Sequence, residues 1–367
     1  MRETYYSDKI PAVNAKFEAQ KICFSPLTFQ AVRALLELGI LRKISDADKT
    51  GLTREEIAEQ TGISVYGAGL LAEIALGLGV LKLIPLESRP ERFILGKIGW
   101  FLLEDKMTSV NFNFVNDVCY KGAYDLLESV KSGKPKGLSV FGDKWDTIYE
   151  ALSSLPEEAK KSWFDFDHFY SDIAFPEALP LVFASQTGNS YRLFDIGGNT
   201  AKWAIACCKF NKNAEITIID LPGQTDVAEK NSRLAGFEDR IKVYPCNVLD
   251  KNIVFPKGAD AVWMSQFLDC FSPEQITMIL EKIRESIGPE TDVWVLEPLW
   301  DMQRFEASAF SLQAVSLYFT CMANGCSKMY RYAELCGAVE KAGFILESGH
   351  HNLGSNSYSL LKFRIKT

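Results

Sequence analysis

The chain has 367 residues, 47% of them hydrophobic and 24% charged, which fits about two soluble globular domains. Its net charge of −7 and pI near 5.3 argue against a nucleic-acid partner, which leaves a basic footprint. Nine cysteines, at 23, 119, 207, 208, 246, 270, 321, 326 and 336, with three histidines, form no matched C-x-x-C pairs and no usual zinc site, so free thiols and no metal are expected.

The first residues, Met1 to Asp8, contain no apolar secretory core, and no run of 18 apolar residues occurs anywhere. A cytoplasmic protein with no membrane partner is the expectation. From Ser25 to Leu41 the apolar residues Leu27, Val32, Leu35, Leu36 and Leu38 recur at helical spacing. Thr53 and Glu56 have the capping-box spacing and open a short helix that Thr61-Gly62 ends. Ser64 caps a second helix to about Leu78, and Arg92 to Leu95 reads as a wing strand. Together these predict a winged-helix domain, a shape shared by many DNA-binding modules. In the recognition position, however, Ser64 to Gly79 contains no Lys, Arg, Asn or Gln, the side chains that chiefly read phosphates and base edges. Its Gly, Ala and Leu content suits packing on protein. A homodimerisation domain over residues 1–106 is therefore expected, with a winged-helix regulator as the alternative that charge disfavours.

Residues 107–180 read as helices over 108–132, 144–154 and 157–175. The last carries Phe164, Phe166, His168, Phe169 and Tyr170, either core packing or the wall of an acceptor pocket. From 191 onward strands and helices alternate: strands at 191–196, 215–219, 240–244, 260–264 and 292–297, and a final pair near 344–350 and 356–365. Helices lie at 201–210, 225–235, 273–287 and 331–342. This is an α/β, Rossmann-like doubly wound domain over 181–367. His350-His351 falls near the final hairpin, where a solvated turn is expected.

The stretch Leu193-Phe194-Asp195-Ile196-Gly197-Gly198-Asn199-Thr200-Ala201 reads as strand, tight turn and helix start, which lets backbone approach a nucleotide-like ligand. The next strand ends in Asp220, where one carboxylate can accept from both hydroxyls of a ribose. A pyrophosphate would want Gly-x-Gly-x-x-Gly without an adjacent acid. Asp195 instead favours a cationic or zwitterionic ligand. S-adenosylmethionine, a sulfonium with an ammonium and no phosphate, fits that description. A nicotinamide cofactor, or a Rossmann-like half with none, are the alternatives.

Taken together, these segments resemble the small-molecule O-methyltransferases that include plant caffeic-acid-type enzymes and bacterial polyketide methyltransferases, over nearly the whole chain. Asp195-Ile196-Gly197-Gly198 is similar to the family's glycine motif, and Asp220-Leu221-Pro222 to its Asp-Leu-Pro, whose acid holds the ribose. Cys246-Asn247-Val248-Leu249 stands where the family has Gly-Asp-Met-Phe, so Asn247 would face the adenine amine. Phe267-Leu268-Asp269-Cys270-Phe271-Ser272-Pro273-Glu274 stands where it has Val-Leu-His-Asp-Trp-Ser-Asp-Glu. The resemblance implies a dimerisation domain, a helical connector with the acceptor pocket at 107–180, and a methyltransferase domain. It implies cofactor contacts from Asp195, Gly197, Gly198, Asp220, Leu221, Asn247, Val248, Ser265 and Phe271. Phe169, Tyr170, Phe319 and Met322 would be acceptor walls.

The chain departs from the pattern at the catalytic centre. The family histidine falls on Asp269 and its tryptophan on Phe271, the orienting acid is retained as Glu297, a further carboxylate near Met329 is absent, and the third glycine is Asn199. The resemblance therefore implies Asp269 as base or acceptor-orienting group, Glu297 as its support and His168 as a substitute base. A small hydroxylated aromatic or polyketide-like acceptor is expected, with a catalytically silent S-adenosylmethionine-binding protein as the alternative.

Overall fold

The computed structural model describes residues 5–84, 90–184, 186 and 188–366; of the N-terminal stretch read above, residues 1–4 lie outside the described residues. The chain divides into two compact units, Met1–Phe112 and Asn113–Thr367. Of the stretch 107–180 read from sequence as a helical connector, residues 107–112 fall in the first unit and 113–180 in the second.

In the first unit, α1 (Ala12–Cys23) and α2 (Ser25–Glu37) precede α3 (Ile40–Asp46). Sequence spacing predicts one helix over 25–41, but the chain breaks at Gly39, whose φ of 68° is left-handed, a conformation open to glycine without penalty. A new helix then buries Ile40, Leu41 and Ile44. The helix α4 (Arg54–Thr61) starts at a closed capping box. Glu56 N–H donates to Thr53 Oγ1 at 3.2 Å and Thr53 N–H to Glu56 Oε2 at 2.8 Å, satisfying two amides that a helix start leaves open.

Ser64 caps α5 (Val65–Gly77), which buries Ala68, Gly69, Ala72 and Ala75 in a core with Leu35, Ile44, Ile57 and Phe93. Val65, Tyr66 and Leu70 on the same helix are exposed. The expected wing is the antiparallel pair β1 (Leu81–Leu83) and β2 (Phe93–Leu95), with Leu81 opposite Leu95. Three residues are too few for strand alternation to show in sequence, which hid β1. α6 (Lys97–Glu104) follows, and α7 (Lys106–Phe114) runs across the division between units.

The second unit begins with α8 (Leu126–Ser132), α9 (Ile148–Ala151), α10 (Glu157–Ser171) and α11 (Phe175–Val182). The continuous helix predicted over 108–132 is interrupted by a π-helical stretch at Val115–Cys119 and a tight turn at Gly122–Asp125. The turn packs closely: a Cβ on Gly122 would sit 2.3 Å from the Met322 sulfur and 2.5 Å from the Gly137 carbonyl oxygen.

The remaining strands are β3 (Tyr191–Ile196), β4 (Ala214–Asp220), β5 (Ile241–Pro245), β6 (Ala261–Ser265), β7 (Asp292–Glu297), β8 (Phe344–Leu353) and β9 (Tyr358–Ile365). They form one sheet in the order β5-β4-β3-β6-β7-β9-β8, parallel except where β9 pairs antiparallel with β7 and β8. The helices α12 (Lys202–Phe210), α13 (Pro222–Leu234), α14 (Pro273–Ser286), α15 (Glu306–Tyr318) and α16 (Tyr332–Lys341) intervene. Every residue of β7 is buried, the continuous apolar run of a strand covered on both faces.

Two expectations fail here. α15 is absent from the sequence reading because Phe310 and Leu317 on its outer face are exposed apolar residues, which blur the helical period of buried Ala309, Leu312 and Val315. His350 and His351 lie on β8 rather than in a solvated turn, and His351 Nδ1 is 2.9 Å from Ser359 Oγ on β9. The strand continues to Leu353 because β9 offers it a partner as far as Tyr358.

Candidate active site

Strand order reverses between β3 and β6, both parallel neighbours of one another. In an open α/β sheet the crevice at the carboxyl ends beside such a switch point is where ligands bind. Here it holds a cavity of about 200 Å³, open to solvent on one side and bordered by the ends of β3, β4 and β6, by α10 and by the end of α15.

The turn after β3 is shaped by contact rather than by flexibility. Gly197 has φ of 75°, and a Cβ there would lie 2.3 Å from the Phe267 ring, so only glycine fits. A Cβ on Gly198 would meet Asp195 Oδ2 at 2.7 Å. Asn199, in the place of a third glycine, holds φ of 45°, a conformation Asn tolerates better than most residues. Its N–H donates to Asp220 Oδ2 at 2.9 Å and its amide nitrogen to Asp167 Oδ2 at 3.1 Å. Leu221 N–H donates to Asp220 Oδ1 at 2.7 Å. Each Asp220 oxygen so engaged keeps a second lone pair for a ligand hydroxyl.

Burial pushes the Asp195 carboxyl up to about 8, with the neighbouring Asp220 adding to the effect. Burial also raises Asp220, to about 6, while the Asn199 and Leu221 amides pull it down. A cationic ligand would relieve both.

All nine residues expected to contact the cofactor border this cavity: Asp195, Gly197, Gly198, Asp220, Leu221, Asn247, Val248, Ser265 and Phe271. Asn247 is exposed and its Oδ1 accepts the Leu249 N–H at 2.9 Å, one lone pair remaining. Asp195 Oδ2, Asn199 Oδ1, Thr200 Oγ1, Ser265 Oγ and Gln266 Oε1 are buried without a hydrogen-bond partner, and all five residues line the cavity. Buried polar atoms are normally paired, so this half is built for a polar ligand. A zwitterionic nucleoside without phosphate fits the donor and acceptor set.

The other half is aromatic. Phe114, Trp163, Phe166, Tyr318 and Phe319 border it with Asp269, and Phe114 stacks on Phe166 with centroids 4.1 Å apart. Asp269 sits in the short helical turn Leu268–Cys270 and is buried. Burial lifts its carboxyl to about 7, against a pull downward from the Cys270 thiol, which approaches Asp269 Oδ1 at 3.4 Å. Glu297 is absent from this cavity's wall. It lies behind Asp269, bordering a small void with Met329 and Tyr330. Its Oε1 accepts the N–H groups of Phe267 and Leu268 at 3.0 and 2.9 Å, while Oε2 is buried and unpartnered. Burial and then Asp269 hold its carboxyl well above the usual range.

His168 borders the cavity with Nδ1 3.8 Å from Asp167 and 3.7 Å from Asp172. Of the four residues expected as acceptor walls, Phe319 lines the cavity; Phe169, Tyr170 and Met322 do not. Met322 is turned into the contact with Gly122 and Gly137, Tyr170 packs on Phe166, and the Phe169 carbonyl receives the Asn356 amide. The Phe-x-Phe-x-x-Phe-Tyr pattern on α10 places Phe166 on the cavity face and turns Phe169 elsewhere. Sequence reasoning missed Phe114, Tyr149, Trp163 and Tyr318, of which the helical offset from Phe166 could have found Trp163.

Fold and cavity define an α/β enzyme domain for a nucleoside cofactor and a small aromatic ligand, preceded by a small helical unit. A family model described as an O-methyltransferase domain matches residues 124–345, and one described as a Dimerisation2-like domain matches residues 16–93. The chain therefore belongs to the O-methyltransferase domain family and is an S-adenosylmethionine-dependent methyltransferase. It is 25% identical to an L-tyrosine C(3)-methyltransferase of Streptomyces lavendulae over 88% of this chain and 85% of the relative. It is 24% identical to a demethylspheroidene O-methyltransferase of Cereibacter sphaeroides over 74% of this chain and 67% of that one. The structure of a mitomycin 7-O-methyltransferase superposes with a TM-score of 0.69 at 18% identity, covering 96% of this chain and 98% of the other. Among the described residues no helix is long and apolar enough to cross a membrane.

Proposed function

We propose that the chain methylates an oxygen of a small hydroxylated aromatic or polyketide-like acceptor, with Asp269 taking the proton. The observation that carries this reading is a buried carboxyl, raised to about 7, at the wall of an otherwise aromatic cavity. An ordinary aspartate lies roughly six pKa units below a phenol, about 8 kcal/mol uphill for proton transfer. At about 7 the gap narrows to roughly three units, about 4 kcal/mol, within reach of a positioned base.

The cofactor supplies an electrophilic methyl group. The chain's own residues hold the ligands and move one proton. Asp220 with Leu221 would take the ribose, and Asn247 with Val248 and Phe271 the base. Asp195, Gly197, Gly198 and Ser265 would take the zwitterionic end. Glu297 would act as a positioning residue, holding the two amides that place Asp269. His168, between two carboxylates, is the substitute base. The aromatic half supports an aromatic acceptor. One relative is named for carbon methylation and another for oxygen. Oxygen is favoured here because Asp269 offers an acceptor for an O–H.

The match to a Dimerisation2-like domain and the exposed apolar Tyr66 and Leu70 on α5 support a homodimer joined through the first unit; the net charge of −7 disfavours a nucleic-acid partner, and a cytoplasmic location completes the reading. The functional test is incubation with S-adenosylmethionine and a panel of phenols, enols and amines, read by mass spectrometry. Methylation of phenols or enols that collapses in Asp269→Asn supports the reading. Cofactor binding without transfer to any of them makes the protein a silent binder.

A further inference from the structure

The aromatic half of the cavity contains polar groups that the methyl-transfer reading leaves unused. Tyr149, on the four-residue helix α9, lines the cavity, and its buried hydroxyl meets no oxygen or nitrogen partner, only the Cys270 thiol, a weak one. Tyr318 lines it too, and its oxygen accepts the Trp163 indole N–H at 2.7 Å. That bond fixes the ring and leaves the Tyr318 proton to donate. Cys270, Tyr318 and Asp269 all act on the ionisation of Tyr149, so these groups share one neighbourhood.

The inventory there is two phenolic O–H donors and one carboxylate acceptor. Among the described residues bordering the cavity, the basic side chains are Lys202 and His168. Lys202 pairs with Asp172 at 2.6 Å, and His168 lies between Asp167 and Asp172. None is left to pair with an anion at the aromatic end, and an unpaired buried carboxylate is costly.

We propose that Tyr149 is a specificity-determining residue for the acceptor: it donates to a second oxygen beside the one methylated, and the site takes neutral vicinal dioxygenated aromatics while rejecting aromatic carboxylates. This rests on the cavity being the acceptor site. One acceptor hydroxyl donates to Asp269. The adjoining oxygen accepts from Tyr149, with Tyr318 as the neighbouring donor. A monophenol leaves the Tyr149 hydroxyl with only the weak Cys270 thiol, as in the free protein. A carboxylate at the same position would bring a charge that no cation there neutralises.

The test is equilibrium binding by calorimetry to full-length protein saturated with S-adenosylhomocysteine, using 2,3-dihydroxynaphthalene, 2-naphthol and 3-hydroxy-2-naphthoate. The diol should bind about tenfold tighter than the naphthol, the return on one satisfied buried hydroxyl, and tighter again than the naphthoate. Tyr149→Phe should weaken the diol by about tenfold, leave 2-naphthol within about twofold and leave S-adenosylhomocysteine affinity unchanged. The unchanged cofactor affinity shows that the variant is folded. A naphthoate that binds as tightly as the diol, a Tyr149→Phe effect equal for diol and naphthol, or no binding of the diol overturns the proposal. Binding needs no turnover, so methyl transfer to the same three compounds separately tests the catalytic reading. Binding as expected without transfer would refute catalysis alone.

Discussion

Glu297 Oε1 accepts the Leu268 N–H at 2.9 Å, one residue before Asp269. The acid at the tip of β7 is thus spent on the backbone of the turn that presents the candidate base. Its carboxyl is held well above the ordinary range by burial and by Asp269. Glu297→Gln keeps the accepting oxygen and should cost under about 1 kcal/mol. Glu297→Ala strands two amides and should cost roughly 2–4 kcal/mol in denaturant unfolding. Equal losses in the two variants would contradict the positioning role.

Asp220 is expected to dominate cofactor binding. It already orders the turn through Asn199 and Leu221, and it has lone pairs left for two ribose hydroxyls. Asp220→Ala should weaken S-adenosylmethionine by about 3 kcal/mol or more, measured by calorimetry. Unchanged affinity would remove the ribose assignment.

The cofactor half was legible because its signals are local: a glycine turn after an apolar strand and an acid at the next strand tip can be read within a few residues. The acceptor half was not, since its walls come from α7, α9, α10 and α15, which are far apart in sequence. Which ring of an aromatic run faces a cavity depends on how the helix is rotated against its neighbours, and so Phe166 and Phe319 line it while Phe169 and Met322 do not. The winged-helix pattern was readable from capping and turn residues, whereas α15 carries apolar residues on both faces and gives no clear period.

Cofactor affinity should rise with pH between about 5.5 and 7.5. Asp195 and Asp220 are raised by burial, to about 8 and about 6. Both are therefore largely neutral at the acid end of that window. Deprotonation creates the carboxylates that attract a cationic ligand, so binding releases protons and tightens by about tenfold over the window. Calorimetry in two buffers of different ionisation enthalpy measures both effects. Proton uptake on binding would reverse the sign and reject the arrangement.

A charge placed on the exposed apolar face of α5 should separate the subunits. Leu70 is 51% exposed and Tyr66 79%, while the buried face is formed by alanines. Leu70→Glu should therefore leave the fold intact and give a monomer by light scattering where the wild type gives a dimer. A wild-type monomer, or a dimer untouched by the substitution, would move the interface elsewhere.

Asp269 is the buried carboxyl that borders the aromatic half of the cavity. Burial raises it to about 7, so the carboxylate, the form able to accept a proton, becomes the major species only above that value. The rate should then climb with pH through an ascending limb near 7. An unshifted aspartate would place that limb near 4, below the working range. Asp269→Asn keeps the shape and hydrogen-bonding capacity but removes the base, and should lower kcat by about 10²–10⁴ with cofactor affinity nearly intact. The limb near 7 should vanish in the same variant. If Asp269→Asn retains full activity while His168→Ala loses it, the proton goes to His168 instead, and Asp269 is left as a buried polar wall of the acceptor site.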